Sequence, residues 1–277
     1  MEKEWEREAL EAWNKLSIRD NFIFQRVMQN EKLCKWLLER ILNVRIRDIH
    51  YPDTEKSIDL RLDSKAVRLD VYIEDDAGSV YNIEMQIRRL EGDALFKRTR
   101  YYQSMMDADL LAAGADYDEL NKTIIIFICP FDPFGEGRYM YTFENICLEN
   151  KNLNLLDGAT KIFLNTKGQI GDIDDTIRAF LQYVDGVVTD NSFVQEVEEE
   201  IRRVKLEEGE RVNYMTFAMK MMEERKEGRK EGQRDERVAI LRRLVTQSQI
   251  PVEQALEMIG IPQAEHLSYK KMLHAKL

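Results

Sequence analysis

The order of periodic segments predicts an α/β or α+β domain over residues 1–188, followed by an α-helical C-terminal extension. Three observations carry this reading. Short alternating runs at 46–51, 57–63 and 68–87 lie between segments of helical periodicity. The stretch TIIIFICPF (123–131) is apolar over a strand's length and is stopped by Pro130 and Pro133, the pattern of a strand buried on both faces. From about Asp190 the chain becomes highly charged and lacks proline as far as about Gln233, which predicts a long exposed helix or helical hairpin.

Taken in order, residues 17–43 are helical in pattern. Phe22, Phe24 and Val27 supply a first apolar face, Leu33, Trp36, Leu37, Leu38 and Ile41 a second, and Asn43 is a natural stop. IRDIHY (46–51) and SIDLRLD (57–63) alternate as strands do. RLDVYIEDDAGSVYNIEMQI (68–87) then reads as a hairpin. Gly92 and Asp93 precede a helix that runs toward Gly114. RYMYTFENI and KIFLNT read as strands, and DDTIRAFLQYV as a helix with Asp174 near its start. Residues 189–236 form the charged segment, weakened as a helix at Glu208-Gly209, Glu227-Gly228 and Glu231-Gly232. Residues 237–277 form a small helical module, in which Ser248 is the expected N-cap and Pro251 stands in the first turn.

Composition narrows the function classes. A net charge of −10 argues against a sequence-blind nucleic-acid coat, though not against a local basic site. Cys34, Cys129 and Cys147 are scattered, as are His50, His266 and His274, so neither a disulfide framework nor a Cys/His zinc centre is visible. The N-terminus is charged rather than a secretory signal, and no apolar run approaches the ~20 residues of a membrane span. A reducing, cytoplasmic setting without membrane attachment is expected.

The hairpin carries the chemistry. Alternation puts Asp70, Tyr72 and Glu74 on one face of its first strand, and Asn82, Glu84 and Gln86 on one face of its second. A three-residue turn, Asp76-Ala77-Gly78, places glycine where a left-handed residue is required. That turn pairs Asp75 with Ser79 and, counting back, Asp70 with Glu84. Like charges directly opposed destabilise a sheet. A divalent cation removes the penalty, since Mg²⁺ favours oxygen ligands and is commonly held by one or two carboxylates plus water. Asp59 and Asp63, which share parity with Arg61, are weaker candidates for the first ligand. Glu74, Asp75 and Asp76 are expected to be solvated turn residues. No GxxxxGK[ST] phosphate loop is present.

Asp70, a hairpin, and then Glu84-Met85-Gln86 resemble the second and third motifs of the PD-(D/E)XK nuclease superfamily. More narrowly, LDV and NIEMQ followed by KRTRYYQS and GADYDEL resemble its recombination-promoting nuclease and transposase-like family, from about Asp20 to Gln182. The resemblance implies a restriction-endonuclease-like core, a mixed central sheet flanked by helices. It also implies a Mg²⁺-dependent DNA endonuclease, with Mn²⁺ as a substitute, linked to recombination or to the processing of mobile or foreign DNA. Carried over by position, Asp70 and Glu84 are the metal ligands, Asp20 the first-helix acid, and Gln86 stands where the superfamily has a lysine. Glutamine is neutral and supplies no positive charge; Lys97 or Arg98, on the next helix, is the expected replacement. Arg88, Arg89, Lys97, Arg98 and Arg100, against Glu91 and Asp93, would form a basic mouth for the phosphate backbone. The missing lysine leaves open a nuclease-fold DNA-binding or regulatory module with weak or no cleavage. The charged helices leave open an oligomerisation protein, and the C-terminal helices are the expected dimer contact.

Overall fold

The computed structural model describes residues 2–52, 57–58 and 67–275. They divide into two compact units, Leu10–Arg211 and a second made of Met1–Ala9 with Val212–Leu277.

The larger unit is built on a mixed six-stranded sheet in the order β1-β4-β5-β6-β8-β7. Its strands are β1 (Ile49–His50), β4 (Val71–Asp75), β5 (Val80–Met85), β6 (Thr123–Cys129), β7 (Met140–Phe143) and β8 (Ala159–Asn165). A separate two-stranded ribbon joins β2 (Ser57–Ile58) to β3 (Val67–Arg68). Pairing is antiparallel for β1–β4, β4–β5 and β7–β8, and parallel for β5–β6 and β6–β8. Every residue of β6 is buried, as its unbroken apolar sequence requires. The parallel crossover from β5 to β6 carries α4 (Ala94–Leu110). Leu95, Tyr102, Met105 and Met106 of this helix pack on Val80, Ile125, Phe127, Cys129 and Phe163 of one sheet face. The alternate residues Ile73, Ile83, Ile126, Ile128 and Leu164 are also buried. After α1 (Glu2–Lys15), helices α2 (Asn21–Met28), α3 (Glu31–Leu42), α5 (Asp175–Val184) and α6 (Ser192–Leu206) pack on one another within the same unit.

The hairpin has the register its turn dictates. Val71 pairs with Ile83 and Ile73 with Tyr81, and Asp75 N–H donates to Ser79 O at 2.9 Å. Gly78 has φ +77°, the left-handed conformation that favours glycine. The turn carboxylates are not merely solvated, however. Asp75 is buried, accepting from Ala77 N–H at 2.9 Å, Ser79 N–H at 2.8 Å and the Tyr81 hydroxyl at 2.6 Å. Asp76 accepts from the backbone N–H groups of Arg47 and Asp48, and these bonds hold its carboxyl below the usual range. Glu74 and Asp76 are exposed, as expected of turn residues, and Asp75 alone of the three is buried.

Several boundaries differ from expectation for local reasons. The helix expected to run to Gly114 ends at Leu110, and Gly114 lies in a following turn at φ +89°. The strand expected over 46–51 pairs only through Ile49 and His50. Residues 59–63, including Asp59, Arg61 and Asp63, lie outside the described residues. The charged segment is not exposed from its start: α6 buries Phe193, Val194, Val197, Ile201 and Val204, at the i, i+3, i+4 spacing of a core-facing stripe.

In the smaller unit, the last part of α7 (Glu208–Thr246), α8 (Val252–Met258) and α9 (His266–Ala275) share a core. Val238, Leu241, Leu256, Ile261, Tyr269 and Leu273 form it. Pro251, not Ser248, occupies the N-cap of α8; Ser248 lies in the turn that closes α7. Every residue from Met219 to Arg237 of α7 is exposed.

Candidate active site on the hairpin

The site grows from the point where the β4–β5 ladder stops. Asp70 lies in a bend just before β4, and the register continued by one residue sets it opposite Glu84. Here side chains replace the ladder. Met85 N–H donates to Asp70 Oδ2 at 3.2 Å, and Asp70 N–H donates to Glu84 Oε1 at 3.1 Å. The two carboxylates are thus interlocked, each held by a backbone N–H of the opposite strand.

Asn82, Glu84 and Gln86 share the α4 side of β5. Because β5 is an interior strand, all three are buried, Glu84 to 2 % exposure. Burial, and then the neighbouring Asp70 charge, push the Glu84 carboxyl up to about 8, against the opposing pull of Arg98. The Arg98 guanidinium bridges two of these side chains, its Nη2 donating to Glu84 Oε2 and its Nη1 to Gln86 Oε1, both at 2.7 Å. It lies over the Tyr102 ring, 4.8 Å from the centroid, which fixes the plane of the fork. Gln86 also donates through Nε2 to Arg88 O. An arginine donor on one side and a carbonyl acceptor on the other settle the orientation of its amide. The amide of Asn82 is buried, and neither of its polar atoms makes an aligned hydrogen bond, although its proximity favours the charged form of Glu84.

From the other side, α2 supplies amides. Gln25 Nε2 donates to Asp70 Oδ1 at 3.0 Å, and Asn21 Nδ2 lies at 3.4 and 3.3 Å from the same carboxylate. The i, i+4 spacing puts both on one helix face. Asp20 stands at the N-cap position of α2 but makes no side-chain bond to the helix; its carboxylate accepts instead from Ser17 N–H at 2.8 Å.

The structure therefore gathers Asp70, Glu84, Gln86 and Arg98. Asp20 turns to Ser17, and Lys97 is exposed and paired with Asp93 at 2.9 Å. Arg88 and Arg89 are exposed just after Gln86, Arg89 lying over the Phe131 ring, and Arg100 is exposed on α4 about 200° around the helix from Arg98. Sequence reasoning missed Gln25 and Asn21, whose only signal was their shared helix face, and it left Asn82 without a role. Cysteine nucleophiles are disfavoured, because burial pushes the Cys34 and Cys129 thiols up to about 12.

Among the described residues no group of three Asp, Glu, His or Cys side chains is assembled for a metal ion. The oxygen donors present still suit a hard divalent cation: two opposed carboxylates beside the buried amide of Asn82. The family model described as PD-(D/E)XK nuclease family transposase matches residues 19–242. No curated protein matches the chain. No solved structure matches it.

Proposed function

Because the chain belongs to the PD-(D/E)XK nuclease family transposases, we propose that it is a divalent-cation-dependent endonuclease hydrolysing phosphodiester bonds of DNA, with Asp70 and Glu84 as the residues that hold the ion. The observation that carries this reading is the interlocked pair: two carboxylates opposed at the end of an interior hairpin, each held by a backbone N–H, an oxygen-donor pair of the kind that holds a hard divalent cation. Bound there, Mg²⁺ or Mn²⁺ would polarise a phosphoryl oxygen and lower the pKa of a ligated water.

The chain's own residues divide the remaining work. Glu84 binds as the carboxylate, so it must give up its proton first. Arg98, reaching Glu84 and Gln86 from α4, supplies from another direction the positive charge that Gln86 lacks, and it stabilises charge that develops on the phosphate. Gln86 carries no proton at neutral pH that it could exchange with a nucleophile; it orients groups through its fixed amide. Arg88, Arg89 and Arg100, all exposed, are assigned to the phosphate backbone.

The test is incubation of supercoiled plasmid with Mg²⁺, with Mn²⁺ or with chelator, using wild type, Asp70→Asn and Glu84→Gln. Nicking by wild type with either metal, lost with chelator and in both variants, is the expected result. Cleavage by both variants at the wild-type rate would remove Asp70 and Glu84 from the mechanism. Metal-dependent DNA binding without cleavage would favour a binding module, the reading that Gln86 in place of lysine otherwise supports.

A further inference from the structure

We propose that Gln25 of α2, assisted by Asn21, is the positioning residue for Asp70, and that the first helix serves the site through these amides rather than through the Asp20 carboxylate. The proposal rests on the reading of Asp70 and Glu84 as metal ligands and deepens it.

Asp70 precedes β4 and lies outside its ladder, so backbone pairing does not hold its side chain in place. A carboxylate in such a bend has rotamer freedom unless other groups fix it. One oxygen, Oδ2, accepts Met85 N–H; the other, Oδ1, accepts Gln25 Nε2 at 3.0 Å, a normal hydrogen-bond length. Asn21 lies at the long limit for such bonds, so of the two α2 amides Gln25 holds Asp70 the more firmly. Two donors from two different elements, each on a different oxygen, set both the position and the plane of the carboxylate. Gln25 itself is half-buried, on the helix turn between buried Phe24 and Val27, which restricts where its amide can point.

Asp20 is placed differently. It precedes the first turn, about 100° around the helix from Asn21, and its carboxylate caps the Ser17 turn through the Ser17 N–H. An amide at Gln25 also differs chemically from a carboxylate there. It stabilises an ionised Asp70 by donating to it, and it adds no third negative charge to a pocket whose buried member, Glu84, already resists ionisation. Second-sphere hydrogen bonds of this kind orient a ligand and keep it in its ionised, metal-binding form, and their loss typically weakens metal binding by about 10–100-fold.

The experiment titrates Mn²⁺ into the full-length protein and follows free Mn²⁺ by EPR. Wild type, Gln25→Met, Asp20→Asn, Asp70→Asn and the Gln25→Met/Asp70→Asn double variant are compared, each with its thermal midpoint. Gln25→Met is expected to raise the dissociation constant by about 10–100-fold while its midpoint stays close to wild type. In the Asp70→Asn background the same change is expected to add little, because its effect runs through Asp70. A metal-free readout accompanies the titration: amide exchange at Met85 should be about tenfold faster in Gln25→Met, as the Asp70 acceptor loses its other anchor. An Asp20→Asn effect on Mn²⁺ larger than that of Gln25→Met would overturn the proposal, as would unchanged Met85 exchange in Gln25→Met. If wild type binds no Mn²⁺ while Met85 exchange responds as expected, the metal-site reading fails and the positioning of Asp70 by Gln25 stands.

Discussion

Were the proposed cation held by Asp70 and Glu84, protons and divalent cations would compete for Glu84, the most quantitative consequence of the proposal. Burial on the interior strand, reinforced by the Asp70 charge and only partly relieved by Arg98, raises its carboxyl from 4.5 to about 8. Ionising it then costs about 5 kcal/mol more than ionising the same group in water. Because the cation binds the ionised form, the apparent dissociation constant scales as 1 + 10^(pKa − pH). Affinity should therefore rise about 50-fold between pH 6 and pH 8, close to tenfold per pH unit at the acid end, and level off above pH 8. A carboxylate at its ordinary value would give almost no change over that range. Isothermal titration with Mn²⁺ at pH 6, 7, 8 and 9 measures this directly, and buffers of different ionisation enthalpy should report close to one proton released per ion at pH 7. The same shift affects folding of the metal-free chain. A group whose pKa is raised on folding contributes stability that is full below its unfolded value and lost as pH rises through its folded one. The urea midpoint should accordingly fall between pH 5 and pH 9 in wild type, and the part of that fall due to this residue should vanish in Glu84→Gln. Flat Mn²⁺ affinity from pH 6 to 9 would refute the reasoning.

Three further outcomes follow from named contacts. Arg98→Met removes both arms of the fork from a carboxylate that is 2 % exposed; urea unfolding at pH 9 should show a loss of about 3 kcal/mol, shrinking at pH 6 where Glu84 holds its proton. Asp75→Ala removes the acceptor for Ala77 N–H, Ser79 N–H and the Tyr81 hydroxyl, so thermal or urea denaturation should report a loss of about 2–4 kcal/mol, with cleavage falling as the turn that sets the register loosens. Gly228→Ala and Gly232→Ala lie in the exposed part of α7, where an added Cβ meets nothing within 4 Å; each should stabilise the helix by about 0.5–1 kcal/mol, readable as a higher helix melting temperature by circular dichroism.

How much of this was legible in the sequence depends on whether a local rule governs each part. The register was legible because turn length and the glycine at 78 fix it within a dozen residues, and the opposition of Asp70 and Glu84 follows by counting. The buried character of β6 was legible from its unbroken apolar run. Asp75 was misread because a carboxylate in a turn looks solvated until its acceptor geometry is seen, and here it closes the hairpin. The inner face of α6 was obscured by its charges, although its apolar residues already had core spacing. Gln25 and Asn21 were not legible as site residues, since an amide pair on a helix has no signature until tertiary packing brings Asp70 to it. Arg98 was legible only as a basic residue near the site; its choice of Glu84 and Gln86 depends on how α4 crosses the sheet.

The central claim is that one divalent cation is held between Asp70 and Glu84. Crystals grown or soaked with Mn²⁺ and measured near the manganese absorption edge test it most directly. An ion so held gives an anomalous peak about 2.0–2.3 Å from a carboxylate oxygen of each residue, absent from Glu84→Gln crystals treated alike. A saturating Mn²⁺ soak that leaves no peak between these two carboxylates, or that places the ion at another cluster of oxygens, would contradict it.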